Sequence, residues 1–271
     1  MAKQKIVFFD MDGTLYQTTE DNIQDSALAA IQSLRDAGYK IAAATGRGLH
    51  QLKPILDHVQ FDYYVLINGG YVLDQDFNEI GSYPMSHEDV DDLVSFAEDK
   101  NFGLMGIFGD SSYIYNDFYP MYYFAKYVNS LDSLWYDPTK SFHHRHPAFN
   151  MVVLTKSPDD MEMFMQEHPN LRSDLININT GAIAYDIFNA GNDKSHGIEA
   201  VLDHEGLDWN DVIAFGDSTN DIHMLDKAGI GIAMDSATDY VKSFADWTTQ
   251  DTFHHGIYSA VKRILALEEN E

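Results

Sequence analysis

The chain has 271 residues, 45% of them apolar and 13% aromatic, enough to bury a substantial core and to exclude a disordered protein. Its 17 Lys and Arg stand against 43 Asp and Glu, a formal charge of −26, and the resulting field repels nucleic-acid backbones and anionic membranes, so neither is expected as a partner. The absence of Cys removes disulfides, thiolate metal sites and thiol catalysis together, and fits a cytoplasmic protein.

The same acidity repels phosphorylated metabolites, so a phosphate site here needs a metal ion or local cations. The first five residues run straight into Ile6-Val7-Phe8-Phe9, too short an apolar stretch for a signal-peptide core, and no apolar run approaches membrane-spanning length. The length exceeds the roughly 100–150 residues of a common single domain, which suggests one core plus a smaller module.

In chain order, Ile6 to Phe9 is a continuous apolar run ended by Asp10, the pattern of a central parallel strand buried on both faces. Ala27, Leu28, Ile31 and Leu34 recur at helical spacing within residues 25–37, and Gly38 stops the helix. Residues 39–44 read as a second strand and residues 49–59 as a helix in which Pro54 sits in the first turn or makes a kink. Residues 63–67 read as a third strand. This β-α-β-α-β order predicts right-handed crossovers and a doubly wound, Rossmann-like parallel sheet, whose ligands gather at the carboxyl ends of the strands.

Between residues 82 and 189 the texture changes: spacers lengthen, aromatic residues crowd from Tyr113 to Tyr127, and pieces such as 150–155 and 183–188 read as less uniformly apolar strands. We read an inserted α+β cap domain over 82–189, with the core built from 1–81 and 190–271. In the second core segment, a helix over 195–202, a strand over 212–215, a helix over 221–228 and a short strand over 231–233 resume the first texture. The acidic residues 268–271 read as a frayed, solvated tail.

Three strand ends and one helix start carry chemistry. Asp10-Met11-Asp12-Gly13-Thr14 sets two carboxylates at the end of a buried strand, with Gly13 permitting a sharp turn. Asp10 suits a nucleophile towards phosphorus and Asp12 a general acid/base, although Asp-Gly by itself also signals a plain turn. A calcium loop fails on spacing, because Leu15 and Asp21 stand where that loop needs Gly and Glu.

Gly216-Asp217-Ser218-Thr219-Asn220-Asp221 follows the apolar strand 212–215 and so belongs at the same sheet edge. Mg²⁺ takes oxygen ligands and retains waters, so Asp10, a backbone carbonyl and Asp217, with Asp221 holding a water, suffice for it. Asp217 or Ser218 could instead only cap the next helix. Thr45-Gly46-Arg47 offers a hydroxyl and backbone donors to phosphate, though such turns are common. Lys194, opening a helix, could neutralise phosphoryl charge, or be an ordinary surface lysine.

The order of these four stretches resembles the haloacid dehalogenase superfamily, whose four motifs match Asp10–Thr14, Thr45, Lys194 and Gly216–Asp221. The insertion resembles a type II cap, and Gly231-Ile232-Ala233-Met234 followed by Ala245-Asp246 resembles the Cof-type sugar-phosphatase subfamily, IIB. The match spans essentially the whole chain.

The resemblance implies a phosphatase acting on a small phosphorylated metabolite, such as a sugar phosphate or phosphorylated cofactor. It implies Asp10 as nucleophile, Asp12 as general acid/base, and Thr45, Gly46, Lys194 and Asn220 on phosphate. Mg²⁺ is implied on Asp10, Asp217, Asp221 and the Asp12 carbonyl. Asp235-Ser236 and His254-His255 depart from the family pattern outside the four motifs. A phosphotransferase or mutase, or a binding regulator without catalysis, stands as the alternative. Cap closure and bound phosphate are expected to raise the Asp12 pKa while Mg²⁺ keeps Asp10 ionised.

His143-His144-Arg145-His146 and His254-His255 match no zinc spacing, and adjacent imidazoles rarely chelate one ion, so zinc is not expected. The stretch from Phe118 to Phe124 is expected to pack rather than line a pocket. Two-glycine pairs near Arg47 and Ile230 lack a dinucleotide fingerprint.

Overall fold

A computed structural model describes residues 5–20, 22–128, 130–176 and 181–268. Of the tail 268–271, expected to fray, Glu268 closes a helix and residues 269–271 lie outside the described residues. The chain divides into two compact units. One takes the residues up to Arg47, then Leu52–Ser82 and everything from Asp193 onward; the other takes Gly48–Gln51 and Tyr83–Asn192.

In the first unit the early elements are β1 (Ile6–Phe9), α1 (Asp25–Asp36), β2 (Lys40–Ala44), α2 (Lys53–Leu56), β3 (Tyr63–Leu66), β4 (Tyr71–Asp74) and β5 (Glu79–Ser82). The helix expected over 49–59 is shorter. A 3-10 turn at Leu49–Leu52 precedes the single turn α2, with Pro54 in its opening positions, because Pro54 has no N–H with which to continue a preceding helix. The antiparallel pair β4 and β5 was not anticipated. These four-residue strands carry too little periodicity to announce themselves, and the Asp74 carboxylate shapes their turn by accepting the Asp76 and Asn78 N–H groups at 2.9 and 2.8 Å.

In the second unit come α3 (His87–Lys100), β6 (Gly103–Ile107), β7 (Ser112–Asn116), α4 (Phe118–Tyr127), β8 (Leu134–Tyr136), β9 (Asn150–Thr155), α5 (Pro158–Glu167), β10 (Leu171–Ile176) and β11 (Ile183–Asn189). Its sheet runs β10-β11-β9-β6-β7-β8, antiparallel except between β7 and β8. Val90, Leu93 and Val94 of α3 and Met161 and Phe164 of α5 form one buried cluster with Leu104, Met151, Val153 and Ile187 of the sheet. On α4, Met121 and Phe124 pack as expected, but Tyr119 and Tyr123 are largely exposed, so the packing expectation holds for only one side of that helix.

The chain then returns to the first unit with α6 (Lys194–Glu205), β12 (Val212–Gly216), α7 (Ile222–Lys227), β13 (Ile230–Met234), α8 (Asp239–Lys242), β14 (Trp247–Thr249) and α9 (Gly256–Glu268). The sheet order is β14-β13-β12-β1-β2-β3-β4-β5. From β14 to β3 neighbouring strands are parallel, an α/β doubly wound arrangement. The unanticipated α9 turns Ile257, Ala260, Val261 and Ile264 inward and packs against α1. Among the described residues no helix is long and apolar enough to cross a membrane.

Candidate active site

Register brings distant chain ends to one edge. In the β1–β12 pair Phe9 lies opposite Phe215, their rings stacked with centroids 4.9 Å apart, and the Asp10 N–H donates to the Phe215 carbonyl at 2.9 Å. Asp10 and Gly216-Asp217 therefore leave the sheet together at its carboxyl edge. Gly13, at φ +85°, lets the Asp10 loop turn back, and a Cβ there would stand 2.6 Å from Asp217 Oδ2. The buried Thr14 donates its hydroxyl to Asp217 Oδ1 at 3.2 Å.

Lys194 enters from the start of α6. It is 1% exposed and donates to Asp10 Oδ1 at 2.6 Å and to Asp221 Oδ1 at 2.7 Å. Two glycines permit its placement: a Cβ on Gly69 would meet the Asp193 carbonyl at 2.0 Å, and one on Gly197 would meet Gly69 Cα at 2.8 Å, so α6 rests directly on the loop after β3. Asp221 holds its own turn, accepting the Asp217 and Ser218 N–H groups on Oδ2, both at 2.9 Å. Those bonds, with Lys194 on the other oxygen, engage the carboxylate expected to hold a metal-bound water.

One oxygen each from Asp10, Asp217 and Asp221 lies within 4.8 Å of the others. Burial first, then the Asp221 and Asp217 charges, hold the Asp10 carboxyl well above the usual range, with Lys194 opposing. Burial and Asp221 push Asp217 up to about 6. Against its own desolvation, the flanking Asp10 and Asp221 keep Lys194 protonated far above neutrality. Three carboxylates crowding one ammonium leave negative charge uncompensated, and an all-oxygen donor set of this kind suits a hard divalent cation. The residues fit a metal ion.

Asp12 is paired with Arg47. Its carboxylate receives Arg47 Nε at 2.8 Å and Nη2 at 2.6 Å, a two-pronged ion pair, and the Thr18 hydroxyl at 3.0 Å. Burial would raise its carboxyl, but the Arg47 bonds and charge outweigh that and hold it below the usual range. Asp10 is thus held high by burial and its acidic neighbours, and Asp12 low by Arg47. Arg47, left out of the expected site, also lies over the Tyr16 ring with its guanidinium carbon 5.0 Å from the centroid.

Thr45 is buried at the end of β2, where its hydroxyl accepts the Arg47 N–H at 3.1 Å. Its carbonyl accepts the Asn68 N–H at 3.0 Å. Gly46, next in the chain, would bring a Cβ within 3.3 Å of Asn68 Oδ1. Asn220 donates to Asn68 Oδ1 at 3.0 Å, while its own Oδ1 is buried and has no partner among the described residues. Asn68 was not among the expected site residues. Its signal was the Asn-Gly-Gly that closes the third strand, and Asn68 sits at φ +50° and ψ +41°, a left-handed conformation that asparagine tolerates better than most residues.

A doubly wound sheet with an acid-rich carboxyl edge, a buried lysine and an inserted α+β unit defines the class as a phosphoric monoester hydrolase. The chain belongs to the haloacid dehalogenase-like hydrolases, whose family profile matches residues 7–261. It is 23% identical over 261 residues to the 5-amino-6-(5-phospho-D-ribitylamino)uracil phosphatase YcsE of Bacillus subtilis, covering 95% of this chain and 94% of that protein. A hypothetical protein of Geobacillus kaustophilus superposes with a TM-score of 0.87 at 27% identity, over 97% and 99% of the two chains. A subclass IIB sugar phosphatase of the superfamily superposes at 0.81 with 24% identity, over 96% and 99%.

Proposed function

We propose that the chain is a Mg²⁺-dependent phosphatase that transfers the phosphoryl group of a small metabolite to Asp10 and then hydrolyses the aspartyl phosphate. The observation that carries this reading is the meeting of Asp10, Lys194, Asp217 and Asp221 in one buried cluster at the carboxyl edge. A carboxylate at the end of a rigid central strand is held for in-line attack on phosphorus.

In the first step an Asp10 oxygen forms the bond to phosphorus as the ester oxygen leaves, taking a proton from Asp12. In the second, Asp12 removes a proton from water, which attacks the acyl phosphate, releases inorganic phosphate and restores Asp10. Asp12 starts paired with Arg47; an incoming phosphate dianion competes for that guanidinium and frees Asp12 to hold a proton. Thr45, Gly46, Asn220 and Lys194 bind the phosphoryl oxygens, with Asn68 orienting Asn220. Mg²⁺ held by Asp10, Asp217 and the Asp12 carbonyl supplies positive charge that offsets the repulsion between phosphate and this acidic chain.

The substrate class is a sugar phosphate or a phosphorylated cofactor, and among the relatives one is named for a phosphorylated ribitylaminouracil and one as a sugar phosphatase. The test is phosphate release from a panel of phosphorylated metabolites, with Mg²⁺ and with chelator, for the native chain and Asp10→Asn. One preferred substrate, with activity lost on chelation and in the variant, is the expected result. Turnover that survives both treatments would refute the mechanism.

A further inference from the structure

We propose that Asp91, His143 and His144 form a second metal site, within the Tyr83–Asn192 unit, for a borderline divalent transition-metal ion such as Zn²⁺. Sequence spacing argued against it because no zinc pattern is matched and adjacent imidazoles rarely chelate one ion. Here the 3-10 turn Phe142–His144 folds the two rings to a centroid distance of 4.2 Å. Both Nε2 atoms then aim at one oxygen: Asp91 Oδ1 lies 2.9 Å from His143 Nε2 and 2.8 Å from His144 Nε2. The three donor atoms all lie within 4.8 Å of one another.

His143 is fully buried and is supported from behind. Its Nδ1 lies 3.1 Å from the Tyr115 hydroxyl, whose oxygen also accepts the His143 backbone N–H at 3.0 Å. An outer partner on the far ring nitrogen is the usual means of orienting a metal-binding imidazole. Asp91 and His144 are exposed, so an ion reaches the donors from solvent. His87, one turn before Asp91 on α3, has its ring centroid 6.3 Å from that of His144, and water or this imidazole completes the coordination.

Metal binding takes the imidazoles neutral and the carboxylate ionised. Two nitrogens and one oxygen suit Zn²⁺, Ni²⁺, Co²⁺ or Cu²⁺ and disfavour Mg²⁺ and Ca²⁺, unlike the all-oxygen Asp10 cluster. Binding at roughly 2.0–2.1 Å from each donor replaces the Nε2 protons and spreads the donors by a few tenths of an ångström, a shift open to the exposed Asp91 and His144 side chains. The ion would tie α3 to the turn before β9.

The test uses the full chain, stripped with chelator and then held in excess Mg²⁺, titrated calorimetrically with Zn²⁺ and spectroscopically with Co²⁺. Expected are about one equivalent bound with micromolar or tighter affinity, and at least about tenfold weaker binding in both His144→Ala and Asp91→Asn. Binding in Asp10→Asn should stay unchanged. Both ligand variants alter exposed side chains, and circular dichroism checks their folding. Absence of micromolar binding, binding as tight as the native chain's in either ligand variant, or loss of binding in Asp10→Asn would each overturn the proposal. This site and the phosphatase reading fail separately, because the first is read from Zn²⁺ binding and the second from phosphate release.

Discussion

Lys194 donates to Asp10 at 2.6 Å across 184 positions of sequence, and the same ammonium reaches Asp221 at 2.7 Å. The pair joins the first strand to the start of α6, so one buried cation orients the proposed nucleophile and offsets two carboxylates.

Removing that cation leaves both carboxylates buried without it. Lys194→Met should therefore lower unfolding stability by about 3–5 kcal/mol, measured by denaturant titration with chelator present. Adding Asp10→Asn to Lys194→Met should recover part of the loss. Strictly additive effects of the two substitutions would show that the residues do not interact energetically.

Gly13 is needed twice, for its φ of +85° and for the 2.6 Å between a built Cβ and Asp217 Oδ2. Gly13→Ala should cost about 1–2 kcal/mol of backbone strain and push Asp217 from its place. The expected signature is a higher Mg²⁺ concentration for half-maximal phosphate release. An unchanged activation curve would separate Asp217 from the metal.

Arg47 grips Asp12 through two parallel N–H···O bonds, which a lysine cannot reproduce. Arg47→Lys should keep the fold and reduce kcat by about ten- to a hundredfold, because lysine lacks the planar guanidinium that passes from Asp12 to the incoming phosphate. Steady-state kinetics on the preferred substrate decides the matter; kcat within twofold of native would remove Arg47 from the mechanism.

In the second unit, Asp186 on β11 faces Asp174 on β10 and accepts from Asn150 Nδ2 at 2.5 Å. Burial and the Asp174 charge push its carboxyl up to about 6. A raised acid pKa means the folded chain holds this proton more tightly than the unfolded chain, so the group's contribution to stability falls as pH rises from about 4 to about 6 and stays low above that. Asp186→Asn should thus gain about 1–2 kcal/mol at pH 7.5, after discount for residual exposure, and almost nothing at pH 4. Thermal melts across that range would show it; a gain independent of pH would point to packing instead.

Most of the parallel core was legible because buried strands write themselves as apolar runs. Ile6–Phe9 and Val212–Gly216 are uninterrupted and fully buried. What escaped was short or amphipathic: β4 and β5 have four residues each, and α9 hides its apolar face among polar residues. Around the candidate site, residue types at strand ends pointed to Asp10, Asp12, Thr45 and Asp217, and a helix start pointed to Lys194. Arg47 and Asn68 did not stand out, since an arginine or asparagine in a loop has many ordinary uses.

The chain's order of residues by itself determined the alternation of strands and helices, the family resemblance and the acidic strand ends, because these depend on local periodicity and on neighbours within a few positions. Tertiary structure alone decided which charges meet. Asp12 pairs with Arg47, Lys194 bridges Asp10 and Asp221, and Asp91 receives two adjacent histidines. Such pairings follow from strand register and helix placement, which sum contacts over the whole fold, and protonation in turn follows from the burial and neighbouring charge that only the folded chain creates.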